Sequence, residues 1–105
     1  MTYTATIDGT KFIDWDTFHE EFQRVMGFFD GYGRNMDAWI DCMYDMFING
    51  GLTKFNLQTG DIFILKICDA EDFQRRCPEV FSELIACTAL VNKHRDPAQI
   101  YLELC

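Results

Sequence analysis

Asp37, Asp41 and Asp45 are the residues of this chain best placed to do chemistry. They stand at i, i+4 and i+8 within the stretch NMDAWIDCMYDMF, a spacing that stacks carboxylates along one side of a helix. Like charges so placed repel one another and weaken an isolated helix. Such a stripe is therefore either left in water or offered to something positive. A general acid–base pair needs an apolar pocket that drives two pKa values apart, and Asp37 and Asp41 on one exposed helix face have none. A divalent cation needs more oxygen ligands than two carboxylates supply. A surface aimed at a basic partner needs only that the carboxylates stay exposed, and the pattern favours this reading. The five cysteines and two histidines show no Cys-x-x-C spacing and nothing that marks a nucleophile. There is no Walker loop, and Gly31-Tyr32-Gly33 alone is a weak fragment of a glycine-rich loop. No catalytic residue, metal ligand or cofactor is expected.

The stripe must be positioned by a helix and by what precedes it. Asn35 can cap a helix over residues 35–47, with Asp37 complementing the dipole in its first turn and Asn49-Gly50-Gly51 ending it. Met36, Ile40, Met43 and Phe47 fall on one face with Trp39 beside them, a buried side opposite the aspartates. The preceding loop, Phe28-Phe29-Asp30-Gly31-Tyr32-Gly33, places aromatic anchors beside charge, as interface centres do. At least one of Phe28 and Phe29 is expected to tuck beneath the loop. Tyr32, between two glycines, is expected to point outward.

The rest of the chain supplies a frame. Residues 3–7 alternate as a strand, and a turn follows at Asp8-Gly9. Asp14 or Asp16 can cap a helix ending at Gly27, with Trp15, Phe18, Phe22 and Val25 as its buried stripe. His19 lies beside that stripe and is expected to be a packed, hydrogen-bonded residue rather than a ligand or base. Residues 52–60 fit either a long ordered loop or a weak strand, and the loop is the favoured reading. In residues 61–68, Ile62, Phe63, Ile64 and Leu65 form an apolar run, the pattern of a strand covered on both faces. A short helical turn through Phe73 follows, and Pro78 opens a longer helix to about Lys93. Val80, Leu84, Cys87 and Val91 line its core side with Phe81 beside them, and Lys93, His94 and Arg95 complement its negative end. Residues 99–104 are the last strand. The order β-α-α-β-α-α-β implies an α/β fold of two layers, a small three-stranded parallel sheet packed with helices.

At 105 residues with 49% hydrophobic and 15% aromatic content, the chain is expected to form one packed domain over residues 1–105. No apolar run approaches the roughly 20 residues that span a bilayer, and the start, MTYTATIDG, lacks a signal-peptide pattern. These features point to the cytoplasm, where the five cysteines should be free thiols, mostly core filler, with Cys105 exposed. Seventeen acidic against nine basic residues give a formal charge of −8. This disfavours direct nucleic-acid binding and suits a cationic protein partner, although charge alone equally fits a surface that only keeps the protein soluble.

The stretch Tyr32-Gly33-Arg34-Asn35-Met36-Asp37-Ala38-Trp39-Ile40-Asp41-Cys42 resembles the YGxNxDAxxD signature of the barstar family, small acidic intracellular inhibitors of secreted microbial ribonucleases. Phe18-His19, the helix ending at Gly27 and the parallel-strand order are also similar. The resemblance is close over residues 1–47 and rests on element order beyond them. It implies an immunity protein, monomeric before binding, that lays its second helix and the preceding loop into the active site of a basic ribonuclease or ribonuclease toxin domain. By position, Asp41 is implied as the principal phosphate mimic and Asp37 as its companion. The implied contact surface comprises Phe29, Gly31, Tyr32, Gly33, Asn35, Asp37, Ala38, Asp41, Tyr44 and Asp45. Three features depart from the family. Gly31 stands where an aromatic often precedes the tyrosine, and Ile40 stands where a tryptophan is found in a relative, the tryptophan here being Trp39. The last helix ends in Asn92-Lys93-His94-Arg95 without a late acidic residue. Changed edges around a retained acidic centre suggest a different cognate nuclease, such as the toxin of an interbacterial weapon. The competing class is an acidic adaptor on the same scaffold that inhibits nothing.

Overall fold

A computed structural model of the chain describes residues 1–93 and 99–105. The strands are β1 (Thr2–Asp8), β2 (Ile62–Cys68) and β3 (Ile100–Leu104). The helices are α1 (Trp15–Met26), α2 (Met36–Asp45), α3 (Ala70–Arg76) and α4 (Pro78–Lys93), and a single 3₁₀ turn covers Gly9–Lys11. The sheet order is β1-β2-β3 with both pairings parallel. Register runs from Thr2↔Ile62 to Asp8↔Cys68 and from Phe63↔Ile100 to Ile67↔Leu104. Parallel neighbours need long crossovers, and α1–α2 and α3–α4 provide the two. The chain is thus the expected α/β fold, a three-stranded parallel sheet with four helices.

Local signals set the helix ends. The Asp14 carboxylate accepts from the Thr17 N–H at 2.9 Å while the Thr17 hydroxyl oxygen accepts from the Asp14 N–H at 3.1 Å, closing a capping box. Gly27, at φ +64°, takes the left-handed turn that ends α1. Residues 52–60 form a loop as expected, whereas the final turn of α4 expected to involve His94 and Arg95 lies outside the described residues.

Ala5 and Ile7 of β1, Phe63, Leu65 and Ile67 of β2 and Ile100 of β3 are buried on one sheet face. Phe18, Phe22 and Met26 of α1, Trp39 and Met43 of α2, and Leu84 and Val91 of α4 join the same cluster. Phe12 is central to it, its ring 5.2 Å from Phe18 and 4.7 Å from Phe73. Two expectations are corrected. β2 is not covered on both faces: Ile62 is 38% exposed and Ile64, Lys66 and Cys68 are half-buried, because the helices pack on one side only and burial alternates with the pleat. Trp15 is not part of α1's buried stripe. It is 36% exposed and stacks on the His19 ring, while His19, Glu21 and Met26 are buried instead.

Glu21 is a charged residue buried at the edge of the core. Its carboxylate accepts from Arg24 Nε and Nη2 at 2.9 and 3.0 Å and from the Asp8 N–H at 3.0 Å, with Lys11 Nζ 3.7 Å away. Burial pushes its pKa upward, but these partners outweigh that and hold it below the ordinary 4.5. The link pins the end of β1 to α1.

Candidate functional site

α2 and the loop before it form one surface. Asn35 Oδ1 accepts from the Ala38 N–H at 2.8 Å and caps α2 as expected. The helix ends at Asp45, two residues before the expected Phe47. Its buried side centres on Trp39, Cys42 and Met43, with Met46 following, while Met36 and Ile40 are half-buried. Trp39 has no exposure, and its indole N–H is a buried polar group without a hydrogen-bond partner among the described residues. Asp37 and Asp41 lie on the exposed side, and neither takes part in an ion pair among the described residues.

Asp45 does not continue that stripe. It is 7% exposed, and its Oδ2 accepts from the Leu52 N–H at 2.8 Å. Its carbonyl accepts from the N–H groups of Ile48 and Gly50 at 3.2 and 3.4 Å. A Cβ at Gly50 would stand 1.9 Å from Asp45 Oδ1, so the carboxylate occupies the space that this glycine leaves. Eight residues are about 2.2 helical turns, which carries Asp45 about 80° around the axis from Asp37 and into the returning chain. Its role here is to close the turn after α2.

The loop over residues 28–35 is held from beneath. The Phe29 N–H donates to the Leu52 carbonyl at 2.9 Å, and the Tyr32 N–H donates to the Phe29 carbonyl at 3.0 Å. Gln23 Nε2 donates to that same carbonyl at 3.3 Å. Tyr32 is 6% exposed, correcting the expectation that it points outward. Its hydroxyl is hydrogen-bonded to His19 Nδ1, and its ring lies 4.7 Å from Phe28. Tyr32 turns in because α1 presents a buried imidazole that needs a polar partner. The exposed aromatic is Phe29, at 43%, while Phe28 is the one that tucks under. Gly31 is explained by Phe29, since a Cβ there would lie 2.5 Å from the Phe29 ring. At Gly33 a Cβ would meet only ordinary contacts, so the free protein's packing does not demand glycine there.

Beneath the surface, the environments of His19, Tyr32 and Cys42 each favour the neutral form. Burial, then the Arg34 charge, lowers the His19 pKa from 6.5, against an opposing pull from Asp16. Burial raises the Tyr32 phenol, as does neighbouring Cys42. Burial and the carboxylates of Asp45 and Asp41 raise the Cys42 thiol to about 11, which leaves it a poor nucleophile. Among the described residues no group of three or more His, Cys, Asp or Glu could hold a metal ion.

Of the expected contact residues, Phe29, Gly31, Gly33, Asn35, Asp37 and Asp41 are exposed on this surface, and Ala38 and Tyr44 are half-buried at its edge. Tyr32 and Asp45 are buried supports beneath it. Arg34, at φ +53° and exposed, and Trp15 are not among the expected contact residues, yet together with His19, Asn35 and Met36 they line a pocket beside the loop. The signal available for Arg34 was its place between Gly33 and the helix-capping Asn35.

Residues 2–104 match the model of the family described as Barstar (barnase inhibitor). The chain belongs to the barstar family. No curated protein matches it. The family's members are inhibitors rather than enzymes, so a ribonuclease-inhibitor or immunity-type role, exercised through a protein–protein interface, is the functional class of this barstar-family chain. No described helix is long and apolar enough to cross a membrane.

Proposed function

We propose that this barstar-family protein is an intracellular inhibitor of a basic ribonuclease or ribonuclease toxin domain, monomeric before binding, which blocks the nuclease active site with α2 and the loop before it. Asp41 and Asp37 stand in for RNA phosphates and pair with the enzyme's cations. Phe29 supplies an exposed aromatic contact, and Gly31, Gly33, Asn35 and Ala38 let the two backbones approach. Tyr44 borders the contact, while Tyr32 and Asp45 act from beneath by holding the loop and the end of α2.

The observation that supports this reading is that Asp37 and Asp41 remain exposed, without an ion pair among the described residues, on a surface held from beneath by hydrogen bonds. A helix retaining two such carboxylates at i, i+4 accepts their repulsion, and a cationic partner removes it. The net charge of −8 adds long-range attraction. The spare room at Gly33 fits a residue kept small for a partner rather than for the fold.

The test is Asp41→Ala against a cognate ribonuclease, found by pull-down from the source cells or from a neighbouring toxin gene. Binding should weaken by about 2–5 kcal/mol, mainly through faster dissociation, a magnitude known from the barnase–barstar complex and so inherited from the family. Asp37→Ala should cost less, and Glu83→Ala on α4 close to nothing. An Asp41→Ala variant that binds as tightly as the parent refutes phosphate mimicry. Tight binding by the parent without loss of nuclease activity identifies an adaptor instead.

A further inference from the structure

Two of the five cysteines meet in the fold. Cys68 closes β2, and Cys105 follows β3. Pairing between these strands reaches Ile67↔Leu104, so Cys68 and Cys105 are the next residues in register. The backbone fixes Cys105 from both sides. Its N–H donates to the Ile67 carbonyl at 3.0 Å, and its own carbonyl accepts from the Ala70 N–H at 2.8 Å. The two sulfurs lie 3.8 Å apart, in contact.

Adjacent strands run about 4.8 Å apart, within the Cα separation of about 4.4–6.8 Å that a disulfide bridges. Converting this contact into a bond therefore asks for side-chain rotation and no movement of the sheet. The pair is also reachable. Cys105 is exposed and Cys68 half-buried, on the less buried face of the sheet, whereas Cys42, Cys77 and Cys87 are buried. Asp8 and Lys66 act on Cys68, and Asp69, Glu71, Asp72 and Arg75 line the opening beside Cys105. This rim is more acidic than basic, so it repels an anionic reagent and admits a neutral one.

We infer that Cys68 and Cys105 form a reversible dithiol–disulfide site that exchanges with small neutral disulfides and, when oxidised, fastens the edge strand β3 to β2. The exchange has two steps. The Cys105 thiolate attacks one sulfur of the small disulfide, whose S–S bond breaks and releases one thiolate, leaving a mixed disulfide on Cys105. The Cys68 thiolate then attacks Cys105 Sγ, the bridge forms, and the second small thiolate leaves. The two protons lost by the protein thiols end on the two released thiols. The protein is oxidised by two electrons and the small disulfide is reduced by two. An exposed bridge of this kind is the labile sort that thiols reopen. The inference is independent of the inhibitor reading, since it concerns the end of the sheet rather than α2.

The experiment treats the folded, reduced protein with hydroxyethyl disulfide, then counts thiols in denaturant and maps the peptides. The expected product is a monomer with three of its five thiols left, no bound adduct, and a 68–105 peptide link that dithiothreitol reverses. The bridged form should melt higher than the reduced form, because a cross-link restricts the unfolded chain. Cys68→Ser should stop at one adduct, on Cys105. A persistent mixed disulfide on Cys105 of the parent, a bridge involving Cys42, Cys77 or Cys87, or a disulfide-linked dimer as the main product would each overturn the inference. The peptide map of the parent decides the matter even if Cys68→Ser does not fold.

Discussion

Asp45→Ala should destabilise the protein by about 2 kcal/mol, whereas Asp41→Ala, four residues earlier on the same helix, should change stability by no more than about 0.5 kcal/mol. The difference follows from what each carboxylate touches. Asp41 is exposed and takes part in no ion pair among the described residues. Asp45 is 7% exposed and receives the Leu52 N–H at 2.8 Å. Losing a hydrogen bond to a charged group costs about 1.5–3 kcal/mol, and Leu52, half-buried, would keep a poorly solvated N–H. At about 4–8 °C per kcal/mol for a domain of this size, Asp45→Ala should lower the Tm by on the order of 10 °C. Gly50 provides a second test. A methyl there would stand 1.9 Å from Asp45 Oδ1, so Gly50→Ala should be costly in the parent and much less so when Asp45 is already alanine. Urea denaturation of the two single variants and the double variant measures this coupling directly. Additive effects, or an Asp45→Ala variant as stable as Asp41→Ala, would refute the account of Asp45 as the closure of the turn after α2.

Three further outcomes follow from the same geometry. Tyr32→Phe removes the hydroxyl that pairs with buried His19 and should cost about 1–3 kcal/mol by chemical denaturation; no loss would mean that the pair does not hold the loop. Because His19 has a folded-state pKa below the ordinary 6.5, the unfolded chain takes up its proton first. This contribution to stability is therefore full above pH 6.5 and is lost as pH falls from there toward the folded value. His19→Gln should flatten that part of the stability–pH curve, and an unchanged slope would count against the assignment. Association with a basic ribonuclease should slow as salt is raised, because charges are screened over about 10 Å at 0.1 M ionic strength; stopped-flow rates that do not vary with salt would remove electrostatic steering.

Much of the architecture was legible in local patterns. Asp14, Gly27 and Asn35 mark helix ends because capping depends on a few consecutive residues. The alternation of strands and helices implied a parallel sheet because parallel neighbours require crossovers. The stretch over residues 32–42 carries the barstar-family pattern, and exposure of Asp37 and Asp41 followed from the amphipathicity of α2.

What the sequence could not decide was which side chains near the boundaries of a face turn inward. Asp45 belongs to the aspartate stripe by spacing, but a helix of 3.6 residues per turn moves a four-residue repeat steadily around its axis. Whether that drift leads into water or into protein depends on where residues 46–57 return, and here they bring the Leu52 N–H to the carboxylate. Tyr32 turns inward, against expectation, for a similar reason. A loop has no periodicity to orient its side chains, so the tyrosine follows the polar partner that α1 buries at His19. The thiols of Cys68 and Cys105 are 37 residues apart in the chain and become neighbours only through the register of β2 with β3. The sequence alone determined the elements and the acidic surface, through interactions within a turn or two of chain. The tertiary structure alone determined which aromatic faces solvent, which carboxylate is structural and which cysteines meet, because each depends on partners distant in sequence.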